Sequence, residues 1–161
     1  MTDPFRAQKN AFARYPTGVT VVSCAPEGQP PLAITVNSFT SVSLDPTLVL
    51  WCLDKEAGVF DAFMGSPSYG VSILAADQAE ASNRFATPGQ HDFREGEAEL
   101  YATASPLLAG RLAGFDCEVV ARHDAGDHII LVGQVVHFDS RPGRPLIYAG
   151  RQYLEGPQIE E

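Results

Sequence analysis

Residues 32–53 read LAITVNSFTSVSLDPTLVLWCL, and the architecture turns on this run. Leu32 to Thr40 and Leu48 to Leu53 carry the β-branched and apolar side chains that pack on a pleated surface, so each predicts a strand. Between them Leu44-Asp45-Pro46 lacks one backbone donor and favours a turn. Strands joined so tightly run side by side in opposite directions, so the sheet is expected to be mainly antiparallel.

Upstream, Val19 to Cys24 is another β-branched run, closed by the turn-forming Pro26-Glu27-Gly28. Before it, Phe5, Ala7, Ala11 and Phe12 recur at helical spacing and predict an opening helix within Asp3 to Arg14, which Pro16-Thr17-Gly18 then ends. Downstream, Gly58 to Phe63 has helical spacing, Tyr69 to Leu74 predicts a strand, and Ala75 to Phe85 predicts a helix beginning around Asp77. The polar stretch from Thr87 to Glu99 is long enough for a mobile lid. Strands return at Gly114 to Arg122, His128 to Asp139 and Pro145 to Tyr148. Seven or so short strands predict a mainly β barrel decorated by short helices. With no repeat or linker in view, residues 1–161 are expected to form one domain.

Hydrophobic residues make up 45% of the chain and charged residues 19%, which is enough apolar material for a sizeable core. The 11 basic and 20 acidic residues leave a net charge of -9, so the electrostatic term that drives nucleic-acid binding is absent. A few basic side chains can still hold a phosphate over short range, so nucleotides stay admissible. No apolar run approaches the length of a membrane span, and the first residues lack the apolar core of a signal peptide. Cys24, Cys52 and Cys117 form no CxxC pair and sit in apolar runs, as buried free thiols do. A cytoplasmic protein with no nucleic-acid and no membrane partner is expected.

The candidate chemistry starts in Ala33 to Ser43, where alternation would put Thr35, Asn37, Phe39, Ser41 and Ser43 on one strand face. Those hydroxyls and that amide suit a heterocycle edge or a phosphate, and equally suit a solvated face. Lys55, at a helix start after Asp54, and Arg84, within Ser82-Asn83-Arg84-Phe85, could each pair with a phosphate, with Phe85 beside a ring. His128, after Gly126-Asp127, is placed to touch a substrate at a barrel mouth. No metal is expected, because His123, Asp124 and Asp127 lack a ligand spacing. GxGxxG and GxxxxGK[ST] are both absent, and Ser23-Cys24 lacks the glycines of a hydrolase nucleophile elbow.

Taken in order, Tyr15-Pro16-Thr17-Gly18-Val19-Thr20-Val21-Val22, Thr35 through Pro46, Gly126-Asp127-His128 and Pro145-Leu146-Ile147-Tyr148 resemble the flavin-reductase-like, FMN-binding split-barrel family, over about Phe12 to Tyr153. The resemblance implies a homodimer of Greek-key split β-barrels that transfers hydride from NADH or NADPH to FMN or FAD. Its small members serve as reductase components of two-component flavin monooxygenases through diffusible reduced flavin. It further implies flavin contacts at Thr35, Asn37 and Ser38, the rest of a cradle at Asp54, Lys55, Ser82, Asn83, Arg84 and Phe85, and a nicotinamide-orienting role for His128. Tyr148, Arg151 and Tyr153 would border the flavin or the nicotinamide. One departure is Glu56-Ala57-Gly58, where many relatives carry a hydroxyl shortly after Lys55. No dedicated basic cluster beyond Arg141 and Arg144 answers a 2′-phosphate, which favours NADH. Two other functions are compatible with the same fold, a flavin store or sensor without turnover and a pyridoxamine-phosphate-oxidase-like enzyme; a purely structural dimer would bind no flavin.

Overall fold

The computed structural model describes residues 2–161. Helix α1 (Arg6–Phe12) is followed by β1 (Thr17–Gly18), β2 (Thr20–Cys24), β3 (Leu32–Val36), β4 (Thr40–Leu44) and β5 (Thr47–Asp54). Next come α2 (Phe60–Gly65), β6 (Ser68–Ile73), a 3-10 turn at Ala76–Gln78, α3 (Ala79–Phe85) and the short β7 (Ala98–Glu99) and β8 (Leu107–Leu108). The chain finishes with β9 (Ala113–Ala125), β10 (His128–Ser140), β11 (Leu146–Ala149) and β12 (Gln152–Glu155). The protein is mainly β with few short helices, and every strand pair is antiparallel, both as expected.

Seven strands form one sheet in the order β3-β2-β6-β9-β10-β5-β4, while β1-β11-β12 and β7-β8 are smaller. The β9–β10 hairpin is turned by Gly126-Asp127, with Gly126 at φ 67°, which a side chain adopts at a cost. β2 is buried along its whole length because both of its faces are covered. Val22 and Cys24 join a core with Trp51, Phe63 and Tyr69, whereas Val19 and Val21 join a second core with Leu74, Phe85 and Leu146. This double burial is why Val19 to Cys24 reads as an apolar run without alternation. Trp51, Phe63 and Tyr69 are fully buried, each stabilising the first core by roughly 1.5–3 kcal/mol.

The sheet does not close into a barrel, because β3 and β4 are its two edges and share no ladder. They are consecutive in the chain all the same, linked by Asn37-Ser38-Phe39. A link of three residues reaches about 14 Å at most, so the sheet must curl until its edges approach at that end. The strand expected over Leu32 to Thr40 is therefore cut at Asn37, where the chain passes from one edge to the other. The single polar face expected for Thr35, Asn37, Phe39, Ser41 and Ser43 fails for that reason, and a bulge between Ser41 and Ser43 breaks it again.

Three further expectations change. The opening helix is shorter and buries no side chain, so Phe5 and Phe12 stand exposed rather than packed. The stretch from Thr87 to Glu99 is tied down: Ala33 N–H donates to the His91 carbonyl at 2.9 Å, Ala109 N–H to the Glu97 carbonyl at 2.8 Å, and Leu32 bridges Asp92. Cys24 and Cys117 are buried, but Cys52 is only partly so, since on β5 it is Val49, Trp51 and Leu53 that face the core.

Candidate functional site

The site is built at the seam between the sheet edges. β4 meets β5 with Thr40 opposite Leu50, so two residues earlier Ser38 falls opposite Cys52, beyond the end of the ladder. Its side chain continues the pairing: the Ser38 hydroxyl accepts from Cys52 N–H at 2.9 Å and donates to the Cys52 carbonyl at 3.3 Å. Two backbone groups that a missing strand would leave open are thereby satisfied. Asn37, next to it, makes no such commitment and is exposed in a groove.

Three concavities meet at Asn37. The widest, about 930 Å³, is lined largely by apolar surface from Phe12, Tyr15, Phe39 and Ile73, with Thr17, Thr20, Ser38 and Cys52 at its floor and rim. A second, about 410 Å³, gathers Thr35, Ser82, Asn83, Tyr148, Arg151 and Tyr153. The third, about 440 Å³, lies toward α1 with Asp3, Lys9, Tyr15, Tyr148 and Arg151. Thr35 donates its hydroxyl to the Ser82 carbonyl at 2.7 Å, and the Ser82 and Tyr153 hydroxyls meet at 2.5 Å. These bonds lash the middle of α3 to β3 and β12 and so fix the wall that presents Asn83.

His128, Asp54 and Lys55 lie at another end of the same surface. His128 is the cross-strand partner of Asp54, and Ile130 that of Cys52. Asp54 and His128 therefore share the outer face of the sheet with Cys52, about 7 Å further along, just past the groove lining. The His128 Nδ1 hydrogen bonds Asp127 at 2.7 Å and holds that carboxyl below its ordinary range. Asp54 accepts from Glu56 N–H at 2.8 Å, an Asx turn that leaves Glu56 pointing into solvent. Lys55 donates to the Gly126 carbonyl at 2.7 Å and pairs with Asp124, so its ammonium clamps the β9–β10 turn.

Two expected cradle residues point elsewhere. The Arg84 side chain is 7% exposed, ion-paired with Glu97 at 2.5 Å and hydrogen bonded to the Asp92 carbonyl at 3.0 Å. A buried guanidinium needs such partners, and here it anchors the stretch after α3 rather than facing the groove. Phe85 is fully buried in the second core, with the Arg84 guanidinium 4.3 Å from its ring centroid. Sequence reasoning missed Lys9, Phe12 and Tyr15 as groove lining. The signal lay in Tyr15, which opens the run that carries the resemblance, and in the strand break at Asn37.

A family model described as "Flavin reductase like domain" matches residues 12–157. The chain is 43% identical over 146 residues to an FMN reductase (NADH), SmoA, from Agrobacterium fabrum, covering 90% of this chain and 82% of that protein. Its fold matches BorF, the flavin reductase component of a bacterial two-component tryptophan halogenase, with a TM-score of 0.87 and 37% identity over 96% of this chain and 99% of that one. It also matches the Streptomyces globisporus NADH:FAD oxidoreductase in complex with NAD and FAD fragments, with a TM-score of 0.82 and 33% identity over 96% and 94%. A groove with an apolar slot and a polar end, on an open β-sheet and under a family match spanning 12–157, means that the chain belongs to the flavin reductase-like domain family.

Proposed function

We propose that this chain is an NAD(P)H-dependent flavin reductase, passing hydride from a reduced nicotinamide cofactor to FMN or FAD and supplying the reduced flavin to a partner monooxygenase. The groove at Asn37 carries this assignment. Its apolar part is large enough for a fused ring system, and it opens onto hydroxyls, an amide and a guanidinium suited to a ribityl phosphate. The residues present therefore fit a flavin. NADH is the favoured donor, in line with the NADH-dependent relatives, and BorF's place in a two-component system supports the monooxygenase partner.

Bound flavin supplies the ring that accepts hydride, so the protein's work is positioning and exclusion of water. Asn37 offers a free amide at the meeting point of the concavities, and Asn83 offers another from α3. Thr35, Ser38 and Ser82 act through the walls they hold in place. His128 orients the nicotinamide from the outer-face end, with Asp54 and Lys55 bordering it, while Tyr148, Arg151 and Tyr153 border the groove from the opposite side.

The curled, unclosed sheet is read as a Greek-key split barrel forming one domain over 1–161, and the active form as a homodimer. Supporting the dimer, the outward side of β5 and β10 carries Leu48, Leu50, Ile130 and Val132, where a wetted antiparallel face is normally polar. Leu44 on β4 and Phe138 on β10 of the same sheet are 89% and 68% exposed. The three unpaired thiols support a cytoplasmic setting.

The decisive experiment is anaerobic mixing of purified protein with FMN or FAD and NADH or NADPH, following loss of oxidised flavin absorbance against a protein-free control. Rapid bleaching is expected, and it ranks both cofactors. Flavin binding without bleaching would favour a flavin store or sensor on the same fold. Light scattering of the same sample reports the oligomeric state.

A further inference from the structure

Arg151 is the one residue other than glycine, among the described residues, with a positive φ, 64°. It follows Gly150, at φ 57°, in the two-residue loop between β11 and β12, where Ala149 pairs with Gln152. Both loop residues are thus left-handed, a conformation that glycine tolerates and that a Cβ penalises. The loop is held from both sides: Gly150 N–H donates to the Ala13 carbonyl at 2.8 Å, and Tyr148 packs against Tyr153 with ring centroids 5.7 Å apart. Backbone strain maintained by its surroundings is a pointer to function when the side chain it carries faces a site.

Arg151 does face one. It lines both smaller concavities, beside Asn37 and Tyr148 in each. The charged residues lining the groove are Asp3, Lys9 and Arg151, and Asp3 and Lys9 pair with each other at 2.9 Å. The Asp3 carboxyl also feels Arg151 at longer range, but its oxygens are taken by Lys9 and by Phe5 N–H. Arg84, the other arginine expected at a phosphate, is buried against Glu97, and Lys55 lies outside the lining. In a chain of net charge -9, the groove keeps one cation without an ion-pair partner among the described residues.

We propose that Arg151 is the phosphate anchor of the groove, binding the phosphate ester of a nucleotide seated there, and that the left-handed loop serves to aim it. This rests on the flavin reductase assignment above. Two nucleotides could bring the phosphate, the flavin or the nicotinamide donor, and they are separable.

The test compares FMN with riboflavin, which shares the ring and lacks the phosphate, by fluorescence titration of the full chain. Arg151→Gln is expected to weaken FMN binding about 10–100-fold, the worth of a charge-assisted hydrogen bond, while riboflavin binding moves by no more than about twofold. Arg151→Asn, which tolerates the left-handed backbone, should show the same loss with an unchanged or higher melting temperature of the ligand-free protein. If FMN binding holds but the KM for NADH rises about tenfold, with no change for a phosphate-free dihydronicotinamide, the anchored phosphate is that of the donor. If neither FMN affinity nor the NADH KM moves in either variant, Arg151 is no anchor. Wild-type protein that binds neither FMN nor riboflavin overturns the flavin assignment itself, and the anchor with it.

Discussion

Ser38 exchanges two hydrogen bonds with the backbone of Cys52, and through them the link between the edge strands β3 and β4 is pinned to β5 where the groove begins. Replacing Ser38 with Ala leaves the Cys52 N–H and carbonyl without a protein partner. The expected cost is about 1–2 kcal/mol, a fall in melting temperature of roughly 2–8 °C. Flavin affinity should drop with it, because the neighbouring Asn37 loses its support. A melting temperature within about 1 °C of wild type would mean that water replaces the hydroxyl and that the seam is set by other contacts.

Gly133 lies on β10 at a register shift against β9, and a Cβ there would stand 2.5 Å from the Tyr69 hydroxyl and 2.9 Å from the Cys117 Cβ. Tyr69 cannot swing away, since it is fully buried and donates to the Leu131 carbonyl at 3.2 Å. Gly133→Ala should therefore destabilise the chain by about 1–3 kcal/mol through overpacking. The same Cβ would stand 2.6 Å from the Tyr69 ring carbon Cζ, so Tyr69→Phe, which removes only the hydroxyl, should not rescue Gly133→Ala in the same denaturation experiment, and full recovery would place the clash at the hydroxyl alone.

The strands were legible where burial writes itself into composition. Val19 to Cys24 and Leu48 to Leu53 have buried neighbours on one or both faces, so β-branched and apolar residues crowd there. β12 was illegible because Gln152–Glu155 has a single partly buried side chain, Tyr153, and owes its pairing to the hairpin loop before it. The same limit applied to the site. Thr35, Asn37, Ser82, Asn83, Tyr148, Arg151 and Tyr153 do converge, but whether an arginine faces a groove or a core depends on tertiary partners: Arg84 and Arg151 look alike in sequence and differ through Glu97. Phe12 was read as helix and Tyr15 was given no site role, because nothing local tells an apolar side chain lining a groove from one in a core.

Burial pushes the thiol of Cys24 up to about 11 and that of Cys117 up to about 12, while Cys52, less buried and beside the Ser38 hydroxyl, is raised less decisively. At pH 8 a soluble disulfide reagent should therefore react first with Cys52, and saturating FMN should slow that reaction, because Cys52 lines the groove. Cys24 and Cys117 should react only on unfolding. Their effect on stability has a definite sign. Above the ordinary thiol value of 9.0 the unfolded chain has lost protons that the folded chain keeps, so stability falls as pH rises from about 9 through 11 and 12. Denaturation midpoints measured across that range, with the Cys24→Ala and Cys117→Ala variants as references, report the slope; a flat wild-type profile would contradict the burial of both thiols.

His128 shares the outer face of the sheet with Cys52 but stands two cross-strand pairs along from it, beyond the groove lining, with its Nδ1 on Asp127. A residue so placed reaches a second molecule lying over the groove mouth more readily than the one inside it. Truncation to Ala should accordingly raise the KM for NADH by about 3–10-fold, the worth of one hydrogen bond, and leave the dissociation constant of FMN nearly unchanged. His128→Gln, which keeps a polar group at similar reach, should restore part of the loss, whereas Asp127→Asn should have a smaller effect because it alters only how the imidazole is held. If His128→Ala instead weakens FMN and NADH alike, the histidine supports the shape of the β9–β10 turn that Lys55 clamps, and the nicotinamide must be oriented from the Tyr148 side of the groove.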